Sequence, residues 1–191
     1  MTTNTAGYFS MPGIVNLALE EPFAPPLEQT TLATFKTYGP EFELNFGVKL
    51  SEELDEWVTL IHVTNGSFEL GGRYPFFLVN GKGANRKFYL RFYESEDRHN
   101  HLGHEAEYPS SDLNTLMDFS FTYKNKVFQW FVNGEQNHMI NVAKENLNTG
   151  FDDMKIWIGD GKNQIPGSIE YLTLSADGSY EEGKLDVSTH F

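Results

Sequence analysis

A chain of 191 residues with a formal net charge of −13 and no cysteine is bounded in several ways at once. Its 14 Lys and Arg, set against 27 Asp and Glu, argue against a nucleic-acid role, which needs a clustered basic face; disulfide frameworks, thiol nucleophiles and cysteine metal sites are excluded outright. Aromatics make up 15% of the residues, and Gly and Pro recur between the apolar runs, a combination that favours short strands and turns over long helices.

The length suits one domain with one core. The expectation is a single β-sandwich domain over residues 1 to 191, its core from about 12 to 176, with flexible residues 1 to 11 and an acidic tail from 177 to 191. No run is long and apolar enough to cross a bilayer and no leader-like segment is visible at the start, so the chain as written reads as soluble, without a transmembrane segment.

In chain order, Ile14 to Leu19 reads as a first strand, closed by Pro22-Phe23-Ala24-Pro25-Pro26, which belongs in no strand or helix interior. Thr30 to Lys36 is expected as a short edge strand broken at Gly39-Pro40. Phe42, Leu44, Phe46 and Val48 then alternate with Glu41, Glu43, Asn45 and Gly47, the period of a half-buried strand. Ser51 to Glu56 is expected as one helical turn, with Ser51 as its cap. Trp57 to Val63 resumes strand character. Phe76 to Val79 and Lys87 to Tyr93 pair across Asn80-Gly81-Lys82-Gly83. Glu94 to Asp112 is polar and His-rich without a sustained period, which predicts a long loop.

The stretch Met117 to Gly134 organises the rest. Phe119, Phe121 and Tyr123 alternate with polar residues, Lys124-Asn125-Lys126 turns the chain, and Val127 to Val132 returns with a second aromatic run before Asn133-Gly134, a tight-turn signal. His138 to Val142 is a weak strand, Lys155 to Ile158 a good one, and Ile169 to Leu174 the last, predicted to lie beside Ile14 to Leu19. Ten or so short strands with frequent turns predict an all-β antiparallel β-sandwich, specifically a jelly roll. Phe42, Leu44, Phe46, Phe119, Phe121, Val127, Trp130 and Ile156 are expected in its core.

The succession EFELNFGVKL, WVTLIHVTNG, GGRYPFFLVNG, KFYLRFYE, MDFSFTYKNKVFQWFVNG, MKIWIGDG and SIEYLTLS resembles the laminin-G-like domains of the concanavalin A-like lectin and glucanase superfamily, over roughly residues 12 to 176. The resemblance implies a lectin-like binding or cell-adhesion module, not an enzyme, that recognises a glycan or an extracellular protein through loops at one end of the sandwich, sometimes with bound calcium. It also implies an extracellular or secreted setting, in which Asn65-Gly66-Ser67 would be a glycosylation acceptor. Calcium-binding members place an acid just ahead of the strand that begins here at Tyr74; this chain has Gly71-Gly72-Arg73 there, and Glu69 is the nearest acid. Galectins share the sandwich, but their His-x-Asn-Pro-Arg signature is missing.

The alternatives are a glycan hydrolase on the same sandwich and a structural or assembly protein. Hydrolysis in the related glucanases uses Glu-x-Asp-x-Glu, alternate residues on one strand face. Glu53-Leu54-Asp55-Glu56 has the wrong spacing, and Glu41 and Glu43 have no third acid at position 45. The candidate ligand-binding residues are Arg73, Glu94, Arg98 and Trp57, the last because an exposed indole offers a flat platform for a pyranose ring. Core packing is expected for at least two of Trp57, Trp130 and Trp157. His99, His101 and His104, with Asp97, are the candidate ligands for a divalent cation, Zn2+ by their N/O chemistry and with copper as a further option. Ca2+ would draw on loop oxygens such as those of Asp152, Asp153 and Asp160, although the first and last stand at opposite ends of a strand.

Overall fold

The structure, a computed structural model, describes residues 7–8, 14–19, 21–25, 30–64, 76–80, 87–93, 103–109, 113–141, 151–159, 163 and 165–180. Among these are twelve strands and no helix: β1 (Gly7–Tyr8), β2 (Ile14–Leu19), β3 (Thr30–Leu50), β4 (Val58–Thr64), β5 (Phe76–Asn80), β6 (Lys87–Tyr93), β7 (Gly103–Pro109), β8 (Met117–Lys124), β9 (Val127–Val132), β10 (Glu135–Asn141), β11 (Phe151–Ile158) and β12 (Gly167–Tyr180). All pairings among them are antiparallel.

The strands form two antiparallel sheets of a jelly-roll sandwich, joined by β3. Its second half pairs with β8 from Phe42↔Tyr123 to Val48↔Met117 and with β12 on its other side. That sheet continues through β2 and β1 at one edge and through β9 and β10 at the other. The first half of β3 pairs with β11, for example Thr34↔Lys155, and that sheet continues through β4, β5, β6 and β7. The closing strand does lie beside the first, with Leu172 opposite Leu19 and Leu174 opposite Leu17.

Several boundaries differ from those expected. Gly39-Pro40 does not break the chain into two strands. No β3–β11 or β3–β8 pair falls between Tyr38 and Phe42, so Pro40, which has no N–H to give a ladder, sits where β3 changes partners. Ser51 to Glu56 forms bends and no helical turn, because Leu54 is drawn into the core and the Ser51 N–H goes to the Pro166 carbonyl at 3.0 Å. The expected loop from Glu94 to Asp112 contains β7, paired along its whole length with β6. Strands also reach into both ends expected to be loose: Gly7 and Tyr8 pair with Ala18 and Leu17, and β12 runs on to Tyr180, opposite Phe35.

The two hairpin turns have the geometry their sequences demand. Asn125 (φ 51°) and Lys126 (φ 62°) join β8 to β9, and Asn133 (φ 51°) and Gly134 (φ 80°) join β9 to β10, both with two successive left-handed residues as a type I′ turn requires.

Phe46, Phe119 and Phe121 from one sheet meet Phe77 and Phe88 from the other to form the aromatic centre of the core. Phe77 lies 4.9 Å from Phe46 and 4.6 Å from Phe119, ring centre to ring centre, and Phe88 lies 4.8 Å from Phe119. These are the tilted and edge-on arrangements that aromatic quadrupoles favour. Of the eight expected core residues, seven are buried. Val127 is only half-buried, since in β9 the inward parity belongs to Phe128, Trp130 and Val132. The Trp130 indole N–H is buried and meets no acceptor among the described residues, a cost the surrounding ring packing must offset.

Candidate ligand-binding face

The face of the β3–β11–β4–β5–β6–β7 sheet that turns away from the core differs from an ordinary solvated sheet face. Directly opposed residues share a face, so the register assigns its occupants. Trp157 stands opposite His62, His62 opposite Phe76, and Phe76 opposite Arg91, a single row across four strands. The neighbouring positions on the same face are Lys155 and Thr64 on one side and Thr59, Leu78 and Tyr89 on the other. The core side of the same strands holds Val63, Ile61, Phe77, Leu90 and Ile156, all buried.

Both faces of β4 are covered. His62 is 1% exposed and Thr64 0%, so the middle of this outer face is closed, and the accessible groups lie on its flanks. His62 packs edge-on to Phe76 with ring centres 4.6 Å apart. On the β11 flank the Lys155 ammonium stands 5.8 Å from the centre of the half-buried Trp157 ring. On the β6 flank Trp57, just ahead of β4, places its ring 4.3 Å from Tyr89 at 56°, with the Arg91 guanidinium 5.8 Å from the indole centre. Both distances fall in the cation–π range. Trp57 remains 44% exposed.

Only Trp130 of the three tryptophans belongs to the core, and the expectation that at least two do is not met. Alternation explains it: Trp157 follows core-facing Ile156 and therefore takes the opposite face, and Trp57 precedes its strand. Of the other candidate residues, Arg73, Glu94, Asp97, Arg98, His99 and His101 lie outside the described residues. The backbone of His104 is described in β7, opposite Phe92, and so on a strand and not in a loop. Among the described residues no three His, Asp or Glu side chains gather as a metal site would need. Asp152 and Asp153 fall inside β11 and not in a flanking loop. Glu41 accepts from the Asn125 N–H at 2.9 Å and Glu43 from the Asn45 amide at 2.9 Å, so both serve the hairpin and ladder of the other sheet. Sequence reasoning passed over Tyr89, Arg91 and Lys155; the alternation in KFYLRFY, with Phe88 and Leu90 inward, was the signal for the first two.

No family model matches the chain, and no curated protein matches it in sequence. Solved structures share its fold. The CBM40 of a Ruminococcus gnavus IT-sialidase, bound to α2,3-sialyllactose, is similar at 14% identity and TM-score 0.51, covering 83% of this chain and 94% of that one. Alginate lyase A1-II′ of polysaccharide lyase family 7 is similar at 8% identity and TM-score 0.50, over 90% and 83%. Trypanosoma rangeli sialidase reaches TM-score 0.56 at 9% identity, over 92% of this chain but 30% of the enzyme. At such identities the likeness is one of fold alone, an antiparallel jelly-roll β-sandwich.

Proposed function

We propose that this chain is a non-catalytic module that binds a glycan at the flank formed by Trp57, Tyr89 and Arg91. The observation that carries the reading is the Trp57 indole, 44% exposed yet held against Tyr89 and beneath Arg91. Leaving a large apolar ring in water forgoes roughly 25 cal/mol per Å² of burial, and a ring fixed in that state offers the flat apolar surface against which a sugar ring stacks. The Ruminococcus gnavus module was bound to sialyllactose, which supports a glycan as the ligand class.

Binding is favoured over hydrolysis by the exposed indole platform. The described side chains here are aromatic, aliphatic, hydroxyl-bearing or basic, and Glu105 and Glu107, set by the β7 register opposite Arg91 and Tyr89, are the carboxyl-bearing pair to change in a test of the hydrolytic alternative. Within the concanavalin A-like sandwiches the laminin-G-like branch remains our finer placement, with an extracellular setting in which glycans are the abundant partners. Calcium or zinc at the Asp97 to His104 segment remains part of the proposal, to be tested by calorimetry with and without His99→Ala and His101→Ala. A glycan array probed with the wild type and Trp57→Ala tests the central reading. Hits that Trp57→Ala loses are expected; an array without hits, or hits kept in full by the variant, would overturn it.

A further inference from the structure

Trp57, the exposed centre of the proposed site, stands among acids. Glu52, Glu53, Asp55 and Glu56 lead up to it along the chain, all exposed, and no Lys or Arg occurs between Lys49 and Arg73. On the other side of the platform the β7 register sets Glu107 opposite Tyr89, the ring that Trp57 packs against, and Glu105 opposite Arg91. Directly opposed residues share a face and stand about 5 Å apart, so a carboxyl-bearing strand borders the platform.

The cations of this flank do not reverse that balance. Arg91 has its guanidinium 5.8 Å from the Trp57 ring centre, and both it and Lys87 already interact within the chain, so neither is a free cation for the acid of a ligand. Across the sheet, Lys155 shares its side of β11 with Asp153 by alternation. In a chain of net charge −13 an anionic ligand is opposed at long range and again at the platform, where carboxylates beside apolar rings repel it more strongly than they would in bulk water. Sugar hydroxyls meet no such barrier. They donate to an ionised carboxylate, which only accepts and can take several hydrogen bonds at once. An indole that carries the apolar face of a ring, bordered by carboxyl-bearing positions, suits a neutral pyranose with adjacent hydroxyls.

We infer that the glycan taken at Trp57 is neutral and that Glu105 and Glu107 set this preference; the inference rests on the glycan-binding reading above, names its ligand class, and separates this chain from the Ruminococcus gnavus CBM40, which was bound to sialyllactose. Isothermal calorimetry on the full chain tests it with two matched pairs, lactose against 3′-sialyllactose and methyl-esterified trigalacturonate against trigalacturonate. The neutral member of at least one pair should bind about fivefold or more tighter than its acidic partner. Added salt should raise the affinity of the acidic member and leave the neutral one unchanged, because only the first is repelled through a field that ions screen. Glu105→Gln and Glu107→Gln, each shown by its melting temperature to remain folded, should narrow the gap by strengthening the acidic member, and Glu107→Asp should keep it. An acidic member that binds as tightly as its neutral partner, or tighter, would overturn the inference, as would a preference untouched by salt or by both Gln variants. If Trp57→Ala still abolished binding in those cases, the site would stand and only the ligand's charge would be wrong. No binding of either neutral probe overturns the inference, leaving the array to judge the site alone.

Discussion

The Tyr171 hydroxyl donates a 2.8 Å hydrogen bond to Asp118 Oδ1 by reaching across β3 above Gly47, the residue that stands opposite both of them in the sheet. A β-carbon at position 47 would lie 2.6 Å from Tyr171 Cε1 and 3.0 Å from Leu116 Cδ1. Gly47→Ala should therefore destabilise the fold by about 1 to 3 kcal/mol through overpacking. Tyr171→Ser should relieve much of that penalty in the double variant, because the ring is the obstacle. Urea unfolding of the four members of this cycle measures the coupling. Additive effects would mean that the ring and the glycine do not interact.

Tyr171 also predicts a pH dependence. Burial first, and then the hydrogen bond and the negative charge of Asp118, push its phenol up to about 12. The neutral phenol is favoured in the folded chain. The resulting stability is fully present below the unfolded value near 10 and is lost as pH rises from there through about 12. Absorbance titration of phenolate in wild type and Tyr171→Phe should show one tyrosine titrating late, missing from the variant. A Tyr171→Phe difference spectrum centred near 10 would refute it.

Asn133 holds the β9–β10 turn to β8. It accepts from the Asp118 N–H through its side chain at 2.9 Å and returns its own N–H to the Asp118 carbonyl at 2.8 Å, from a left-handed backbone at φ 51°. Asn133→Ala loses the side-chain bond and pays for the left-handed conformation, an expected cost of about 1 to 3 kcal/mol. Asn133→Gly keeps the conformation and should cost less. Thermal melts that rank glycine below alanine would show that the turn conformation is not the determining factor.

Phe121 is fully buried and touches both sheets, with ring centres 5.6 Å from Phe46, 5.7 Å from Phe77 and 5.9 Å from Trp130. Phe121→Ala should cost about 3 to 5 kcal/mol. An unchanged melting temperature would contradict its place at the centre of the core.

The sandwich was legible in the sequence because its signals are local. Alternation in EFELNF and DFSFTY fixes which side of a strand is inward, and Asn133-Gly134 fixes a tight turn. What escaped depends on partners far along the chain. Gly39-Pro40 looks like an ending until β11 and β8 take over opposite halves of one strand. Likewise β7 looks like loop because its side chains do not alternate, yet the β6 backbone pairs with it throughout. The site was half visible. Trp57 drew attention as an indole, but its significance comes from Tyr89 and Arg91, which reach it only once β6 lies beside β5. Lys155 gains a setting only when β11 lies beside β4.

The single unbroken β3 also sets an order of events for a growing chain. Its partners come late: Phe42 must wait for Tyr123 and Ala176, and Thr34 for Lys155. During synthesis the alternating stretch from Phe42 to Val48 has emerged long before its strand partners β8 and β12, and neither sheet can close until the last third of the chain arrives. Folding dominated by such distant pairings is slow and leaves strand edges open to other chains. The acidic excess, which sets every copy repelling the next, then protects the nascent protein during the interval in which β3 has no neighbours.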